Sequence, residues 1–104
     1  MSETPLAPSW DGSVVLDIGA DVGALMLHTS STMLGREIDI ICDDSSRPRT
    51  HSAVRERLLS HAVSFVAVYP SLPQGSYRIE GTGQRVVIEG GRVSELVYDE
   101  SVQR

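Results

Sequence analysis

The sequence has 104 residues, a length that suits one domain with a single hydrophobic core. Its 9 basic and 14 acidic residues give a formal net charge of −5, which argues against nucleic acid or an anionic membrane as a partner. Cys42 is the only cysteine, and no apolar run approaches the roughly 20 residues of a membrane-spanning helix. These features predict a soluble protein of the reducing cytoplasm.

All nine basic residues are arginine, and the sequence contains neither lysine nor asparagine. Chemistry that needs a P-loop lysine or a Schiff-base lysine is therefore excluded. An anion site in this chain would have to use guanidinium groups or backbone amides.

The beginning of the chain divides into an arm and a first pair of strands. Residues 1–12 hold two prolines among mostly small or polar residues, which predicts a flexible N-terminal arm before a single domain over residues 13–104. Residues 13–18 and 22–29 are predicted strands around a reversal at Gly19-Ala20-Asp21. The expected core residues of these strands are Leu16, Ile18, Leu25 and Leu27.

The next segment alternates cleanly between apolar and charged residues. Residues 36–42 place Ile38, Ile40 and Cys42 on one side, which predicts a half-buried strand with Cys42 in the core. The polar run DDSSRPRT at residues 43–50 then predicts a long loop, a kind of segment in which function is often carried.

Residues 51–62 allow two interpretations. Several good helix formers and an i, i+4 stripe of Val54, Leu58 and Ala62 favour a helix. A strand would instead place Arg55 and Arg57 on one side, and the β-rich run VSFVAVY follows after only a short reversal. We favour the strand and keep the helix as the alternative.

The last third consists of short apolar runs separated by proline and glycine. Turns at LPQG, GTG and EGG predict four consecutive antiparallel strands over residues 63–98, and Gly75 is predicted to have a positive φ. The whole chain is therefore predicted to be all-β, a single antiparallel β-sandwich of seven or eight short strands.

The segment VYPSLPQGSYRIEGTGQRVVIEGGRVSELVY resembles the closing half of prealbumin-like sandwich domains, such as carboxypeptidase regulatory-like and Cna B-type modules. The resemblance implies a prealbumin/Ig-like arrangement and no particular activity. The isopeptide bond of Cna B-type modules is not implied, because lysine and asparagine are absent. The chain also resembles small actinobacterial proteins built around VVLDIGADVGALMLHT, LGREIDI and THSAVRER, a likeness that implies a fold and a source.

The candidate binding residues are a cluster of cations in an acidic chain. As strand residues, Arg55 and Arg57 would be exposed on one face together with His51, and such a face suits a carboxylate, a phosphate or an acidic partner. The alternative is a solvated face paired with Glu37, Glu56 or Asp39. The predicted binding residues are Arg49, His51, Arg55 and Arg57.

No segment predicts a catalytic residue, a metal site or a cofactor. The three histidines, His28, His51 and His61, lack the spacing of metal ligands. The sequence therefore predicts a non-catalytic cytoplasmic binding or assembly module, an accessory subunit of a larger complex or a homo-oligomer joined through an edge strand. The alternative is a small-ligand or metal-dependent enzyme that uses histidine and arginine near residues 43–51.

Overall fold

A computed structural model of the protein describes Leu16, residues 18–44 and residues 46–102. The predicted arm over residues 1–12 lies outside the described residues, as does most of the predicted strand at residues 13–18. Leu16 and Ile18 are not in a strand. Ile18 is 38% exposed, so its predicted place in the core is wrong.

The described residues form strands joined by turns and two short 3₁₀ turns, Ser31–Met33 and Glu100–Val102, and contain no α-helix. The all-β class is confirmed, and most of residues 51–62 lie in strands, at 51–53 and 55–58, with no helix among them. The eight strands of this part of the chain are β1 Val22–Thr29, β2 Glu37–Cys42, β3 Thr50–Ala53, β4 Arg55–Leu58, β5 Val63–Pro73, β6 Gly75–Ile79, β7 Arg85–Ile88 and β8 Val93–Val97. The predicted total of seven or eight strands for the whole chain is not confirmed by this count.

The strands form two four-stranded sheets. Sheet I has the order β4-β5-β1-β8, and sheet II has the order β3-β2-β6-β7. Most neighbours are antiparallel, but β1 and β8 are parallel. The four strands predicted over residues 63–98 are confirmed as β5 to β8, but of these only β6 and β7 pair antiparallel with each other, whereas β5 and β8 both belong to sheet I.

The chain changes sheets where the sequence predicted simple reversals and, at Val54, where it predicted an uninterrupted strand. It crosses at Val54 between β3 and β4, at Gln74 between β5 and β6, and at residues 89–92 between β7 and β8. The last crossing brings β8 to the end of sheet I where β1 begins, and the Ala24 amide donates to the Arg92 carbonyl at 3.0 Å. The two strands therefore run in the same direction.

One hydrophobic core lies between the sheets. Sheet I contributes Leu25 and Leu27 to it, and sheet II contributes Ile40, Ile79 and Ile88, all at most 1% exposed. The predicted alternation of β2 is confirmed, because its buried residues are Ile38, Ile40 and Cys42.

A buried hydrogen bond also joins the two sheets. The Tyr69 hydroxyl donates to the Ile38 carbonyl at 2.6 Å, and burial raises the pKa of this phenol, so it stays a donor. Each sheet thus has an inner face at the core and an outer face turned away from it.

A substitution at Gly75 tests the backbone conformation at the crossing between β5 and β6. Its φ is 151°, which confirms the predicted positive value. We expect Gly75→Val to lower the free energy of unfolding by about 1–3 kcal/mol, because a β-branched residue is strained there. Gly19→Val is the control, since an added Cβ at Gly19 meets no atom within 4 Å. Urea unfolding measures both variants, and equal losses of unfolding free energy for Gly75→Val and Gly19→Val would contradict a special role for the φ of Gly75.

Glu100 ties the end of the chain to the turn after β1. Its carboxylate accepts hydrogen bonds from the Ser30 amide at 2.9 Å, the Ser30 hydroxyl at 2.8 Å and the Thr32 hydroxyl at 2.8 Å. These bonds, the Ser30 amide first, lower the pKa of Glu100 below its usual 4.5.

Because the pKa of Glu100 is lower in the folded state, its charge stabilises the fold at pH values above the usual pKa of a glutamate. This stabilisation is lost as the pH falls through the lowered pKa of the folded state. We expect Glu100→Gln to reduce the melting temperature at pH 7, with a difference from wild type that shrinks toward pH 3. Glu89→Gln is the control, since Glu89 makes an exposed ion pair with Arg92. A pH-independent difference for Glu100→Gln would show that the charge is not responsible.

Candidate functional site

The four predicted binding residues do not share one face. Arg49 precedes β3 and His51 lies in it, and this strand belongs to sheet II, whereas Arg55 and Arg57 lie in β4 of sheet I. Between the two strands, Val54 is 1% exposed and its amide donates to the Arg36 carbonyl at 2.9 Å. The prediction that His51, Arg55 and Arg57 lie on the same face is therefore wrong, because the chain crosses to the other sheet at Val54.

Arg49 belongs to a charged network on the outer face of sheet II. Its Nη1 lies 3.0 Å from Asp39 Oδ2 and 3.8 Å from Glu80 Oε1, and Arg78 Nη1 lies 3.5 Å from Glu80 Oε2. His51 is exposed and pairs in register with Asp39. Arg49 therefore has the arrangement given above as the alternative, a solvated side chain paired with a nearby carboxylate. Surface ion pairs of this kind add little stability.

The outer face of sheet I is mostly apolar. Because side chains alternate along a strand, Leu25 and Leu27 in the core place Met26 and His28 on the outer face. The pairing register extends this face over neighbouring strands, since His28 lies opposite Val66 and Val97. The residues of this face are Ala24, Met26 and His28 in β1, Arg55 and Arg57 in β4, Ser64, Val66 and Val68 in β5, and Val93, Glu95 and Val97 in β8.

A cavity of about 280 Å³ opens on this face and brings charged and apolar groups together. His28 Nε2 lies 2.7 Å from Glu95 Oε1 and joins β1 to β8 through their side chains. The cavity residues are Met26, His28, Arg57, Leu59, Ser64 and Glu95. This set suits a protein side chain with an apolar stem and a polar end.

Arg57 differs from the exposed residue that the sequence predicted. It is 3% exposed, whereas its β4 neighbour Arg55 is exposed. The cross-strand partner of Arg57 is Ser64, and both line the cavity on the outer face. A buried guanidinium at this place fixes a positive charge beside an apolar surface, where its electrostatic effect is stronger than in water.

Sequence reasoning missed His28 and Glu95 as members of the site. They are 67 residues apart in the chain, and the parallel pairing of β1 with β8 brings them together. One signal was present in the sequence: VGALML in β1 and FVAV in β5 do not alternate, and continuous apolar runs are typical of strands buried on both faces.

A second cavity, of about 280 Å³, lies beside the predicted functional loop. Its lining includes Arg47, Leu72, Pro73 and Tyr77, but neither Arg49 nor His51. The Tyr77 hydroxyl donates to the Pro73 carbonyl at 2.6 Å, and burial is the main cause of its raised pKa. Cys42 is 5% exposed, so its predicted place in the core is confirmed.

A third cavity, of about 270 Å³, lies at one end of the sandwich among Arg36, Asp39, Glu80 and Tyr98. Burial is also the main cause of the raised pKa of Tyr98. Asp39 and Glu80 already pair with Arg49, so two of the charges at this cavity are part of the network on sheet II.

The histidines lie apart: His28 is in β1, His51 in β3 and His61 in the turn before β5. Within the described residues no three histidine, cysteine, aspartate or glutamate side chains are grouped so that they could hold a metal ion. The same part of the chain includes no helix with the length and apolar character needed to cross a membrane. Comparison with known proteins finds no family model, no curated protein and no solved structure that matches the chain.

The different burial of the two arginines of β4 predicts different costs of substitution. We expect Arg55→Ala to change the free energy of unfolding by no more than about 0.5 kcal/mol and Arg57→Ala to lower it by about 1–3 kcal/mol, because the stem of Arg57 is packed. Arg57→Met keeps most of the side-chain length and separates the loss of packing from the loss of charge. Urea unfolding measures all three variants, and equal costs at both positions would contradict the burial of Arg57.

Proposed function

We propose that this protein is a non-catalytic cytoplasmic binding or assembly module and that its contact surface is the outer face of sheet I. The observation that carries this proposal is the difference between the two outer faces. Sheet II presents Glu37, Asp39, Arg78 and Arg85 beside its apolar Ile41 and Val87, whereas the accessible part of sheet I presents Met26, Val68, Val93 and Val97. Ala24 and Val66 of the same face are at most 1% exposed and lie outside this surface.

The exposure of these side chains gives the proposal its energetic basis. On sheet I, Val97 is 69% exposed and Val93 is 38% exposed, and Met26 and Val68 are half-buried. Covering apolar surface releases roughly 25 cal/mol per Å². An extended apolar surface of this kind, with charged residues at its border, is typical of a protein interaction site.

The border of the face indicates a protein partner. Arg55 is exposed in one edge strand, and Glu95 is exposed in the other. The net charge of −5 opposes binding to nucleic acid or an anionic membrane. A folded protein surface can cover the valines and supply counter-charges at the border.

We also propose that the sandwich is of the prealbumin/Ig-like kind and that the protein belongs with the small actinobacterial proteins it resembles. The LPQGSY crossing with its positive-φ Gly75 supports the first statement. The alternative function, a small-ligand or metal-dependent enzyme near residues 43–51, has less support, because Arg49 and His51 lie on the charged face of sheet II.

Two exposed valines give a matched test of the contact surface. Val97 is 69% exposed at the edge of sheet I, and Val87 is 60% exposed at the neighbouring edge of sheet II. We expect Val97→Glu to weaken association by about tenfold or more and Val87→Glu to leave it unchanged, because a carboxylate is costly only where the valine is covered.

Association is measured by sedimentation of the purified protein and by capture of binding proteins from an extract of the source cells, so that both kinds of partner are detected. Circular dichroism confirms that both variants fold. Loss of association with Val87→Glu but not with Val97→Glu would place the contact surface on sheet II and contradict the proposal.

A further inference from the structure

We propose that the second cavity, which lies beside the loop before β3, binds a small carboxylic acid with an aromatic body. This site is separate from the proposed contact surface on sheet I. It keeps the idea of a small ligand near residues 43–51, but it assigns no catalysis and uses neither Arg49 nor His51.

The cavity lies where the two sheets separate at one side of the sandwich. β4 pairs with β5 only at residues 63–66, whereas β5 continues beside β1 as far as Pro73. Beyond β4, β5 contacts β3 of sheet II instead, and the Ser52 hydroxyl donates to the Val68 carbonyl at 2.7 Å. The polar loop before β3 borders the space that remains between the sheets, and this space is the cavity.

The inner wall of the cavity is formed by residues of the core. Leu72 of sheet I and Tyr77 of sheet II both line it, and each is 3% exposed. Thr50 pairs in register with the buried Ile40, so its side chain lies on the inner face of sheet II. Two proline rings add further apolar surface. The wall is therefore apolar, with a hydroxyl group at its edge.

The fold fixes the position of the Tyr77 ring. Its hydroxyl donates to the Pro73 carbonyl at 2.6 Å, and Tyr77 pairs in register with Cys42 of the core. A wall that is already ordered binds a ligand at a lower cost in side-chain entropy. A second aromatic ring can pack against this one in an offset or edge-to-face arrangement, which adds to the energy of area burial alone.

Arg47 gives the cavity its charge. Among the described residues of the lining, Arg47 is the only one with a charged side chain. The linings of the other two cavities each include a carboxylate, Glu95 in one and Asp39 and Glu80 in the other. In a chain with a net charge of −5, the second cavity is therefore the one that suits a negatively charged group.

The ion pair of Arg47 with Asp44 leaves room for a second carboxylate. It is made through Nε, at 3.5 Å from Asp44 Oδ2, and the Nη groups of a guanidinium can bind another carboxylate with two hydrogen bonds. Asp44 accepts hydrogen bonds from the Ser46 hydroxyl at 2.7 Å and the Ser46 amide at 3.0 Å. These bonds, more than Arg47, lower the pKa of Asp44.

The charge of Arg47 is also close to the aromatic wall. Burial has the largest effect on the pKa of Tyr77 and raises it, whereas Arg47 acts in the opposite direction, so the guanidinium lies near the tyrosine hydroxyl. A ligand can therefore place its ring against Tyr77 and its carboxylate on Arg47 at the same time.

The volume of the cavity limits the size of the ligand. A protein cavity of about 150 Å³ is large enough to bind benzene. The second cavity, at about 280 Å³, has room for one ring and a short acidic arm. The preferred ligand is therefore a compound with a single ring and one carboxylate.

The test is a titration of the isotope-labelled, full-length protein with three probes, followed by nuclear magnetic resonance. Phenylacetate carries the ring and the carboxylate, phenylacetamide lacks the charge, and acetate lacks the ring. We expect phenylacetate to give saturable shifts of the amide signals of Thr50, Ser71 and Tyr77. The dissociation constants of the other two probes are expected to be at least about tenfold higher.

Two neighbouring arginines provide a matched pair of variants. We expect Arg47→Gln to weaken binding of phenylacetate about tenfold or more and to leave the weaker binding of phenylacetamide unchanged. Arg49→Gln is the control, because Arg49 lies outside the lining and pairs with Asp39. Ser71→Phe tests the cavity itself, since a ring at this exposed lining position reduces the space for both aromatic probes. Melting temperatures show whether the variants remain folded.

The proposal is overturned if phenylacetate gives no saturable shifts or binds no better than phenylacetamide. An equal loss of binding with Arg47→Gln and Arg49→Gln would also contradict it. An N-terminally blocked tripeptide ending in phenylalanine presents the same ring and carboxylate at the end of a chain. If the tripeptide binds more than about tenfold more tightly than phenylacetate, the occupant is the terminus of a protein and not a small acid.

The same titration separates this site from the contact surface on sheet I. Val97 does not line the second cavity, so we expect Val97→Glu to leave the binding of phenylacetate unchanged. Loss of protein association without loss of phenylacetate binding would leave both proposals standing. A dissociation constant for phenylacetate that rises with Val97→Glu would place the binding site elsewhere.

Discussion

The central pair of sheet I, β1 with β5, is the constraint on which the rest of the molecule depends. Its two strands pair antiparallel and are flanked by β8 and β4. The inner face of this pair contributes Leu25, Leu27 and Tyr69 to the core, and Tyr69 also bonds sheet II through the Ile38 carbonyl. The outer face of this pair is also apolar, and its Ala24 and Val66 are at most 1% exposed, so the pair is buried on both faces over part of its length.

The crossings between sheets determine which side chains meet. The crossing at Val54 separates His51 from Arg55, although the two are only four positions apart in the chain. The crossing at residues 89–92 has the opposite effect and brings Glu95 beside His28. It needs glycine, because a Cβ at Gly90 would overlap the Ala20 carbonyl oxygen. The absence of a side chain at Gly90 therefore allows the crossing that pairs β8 in parallel with β1.

The sequence predicted local structure better than it predicted which strands are neighbours. The alternation of β2 and the positive φ of Gly75 are local properties, and both predictions are confirmed. The assignment of strands to sheets depends on contacts between distant residues. The alternation of buried and exposed residues along a strand does not reveal it, because this alternation is the same in either sheet. For this reason the predicted exposure of Arg57 is wrong. Its side chain would be exposed in an isolated strand, but in the fold it is buried beside Ser64 and Leu59. The continuous apolar runs of β1 and β5 were the signal for a second buried face.

The charge pattern gives the proposed contact surface a means of specificity. Apolar contact is non-directional, so Met26 and Val68 alone would accept many partners and many orientations. Charges at the border restrict this choice, because a wrongly placed partner leaves a charge desolvated or beside a like charge. Arg57 is already buried, so the conformational entropy of its side chain is lost on folding rather than on binding. Glu95 is likewise oriented before binding by its contact with His28. In the proposed contact surface, the carboxylate of Glu95 is therefore positioned by the fold before a partner binds.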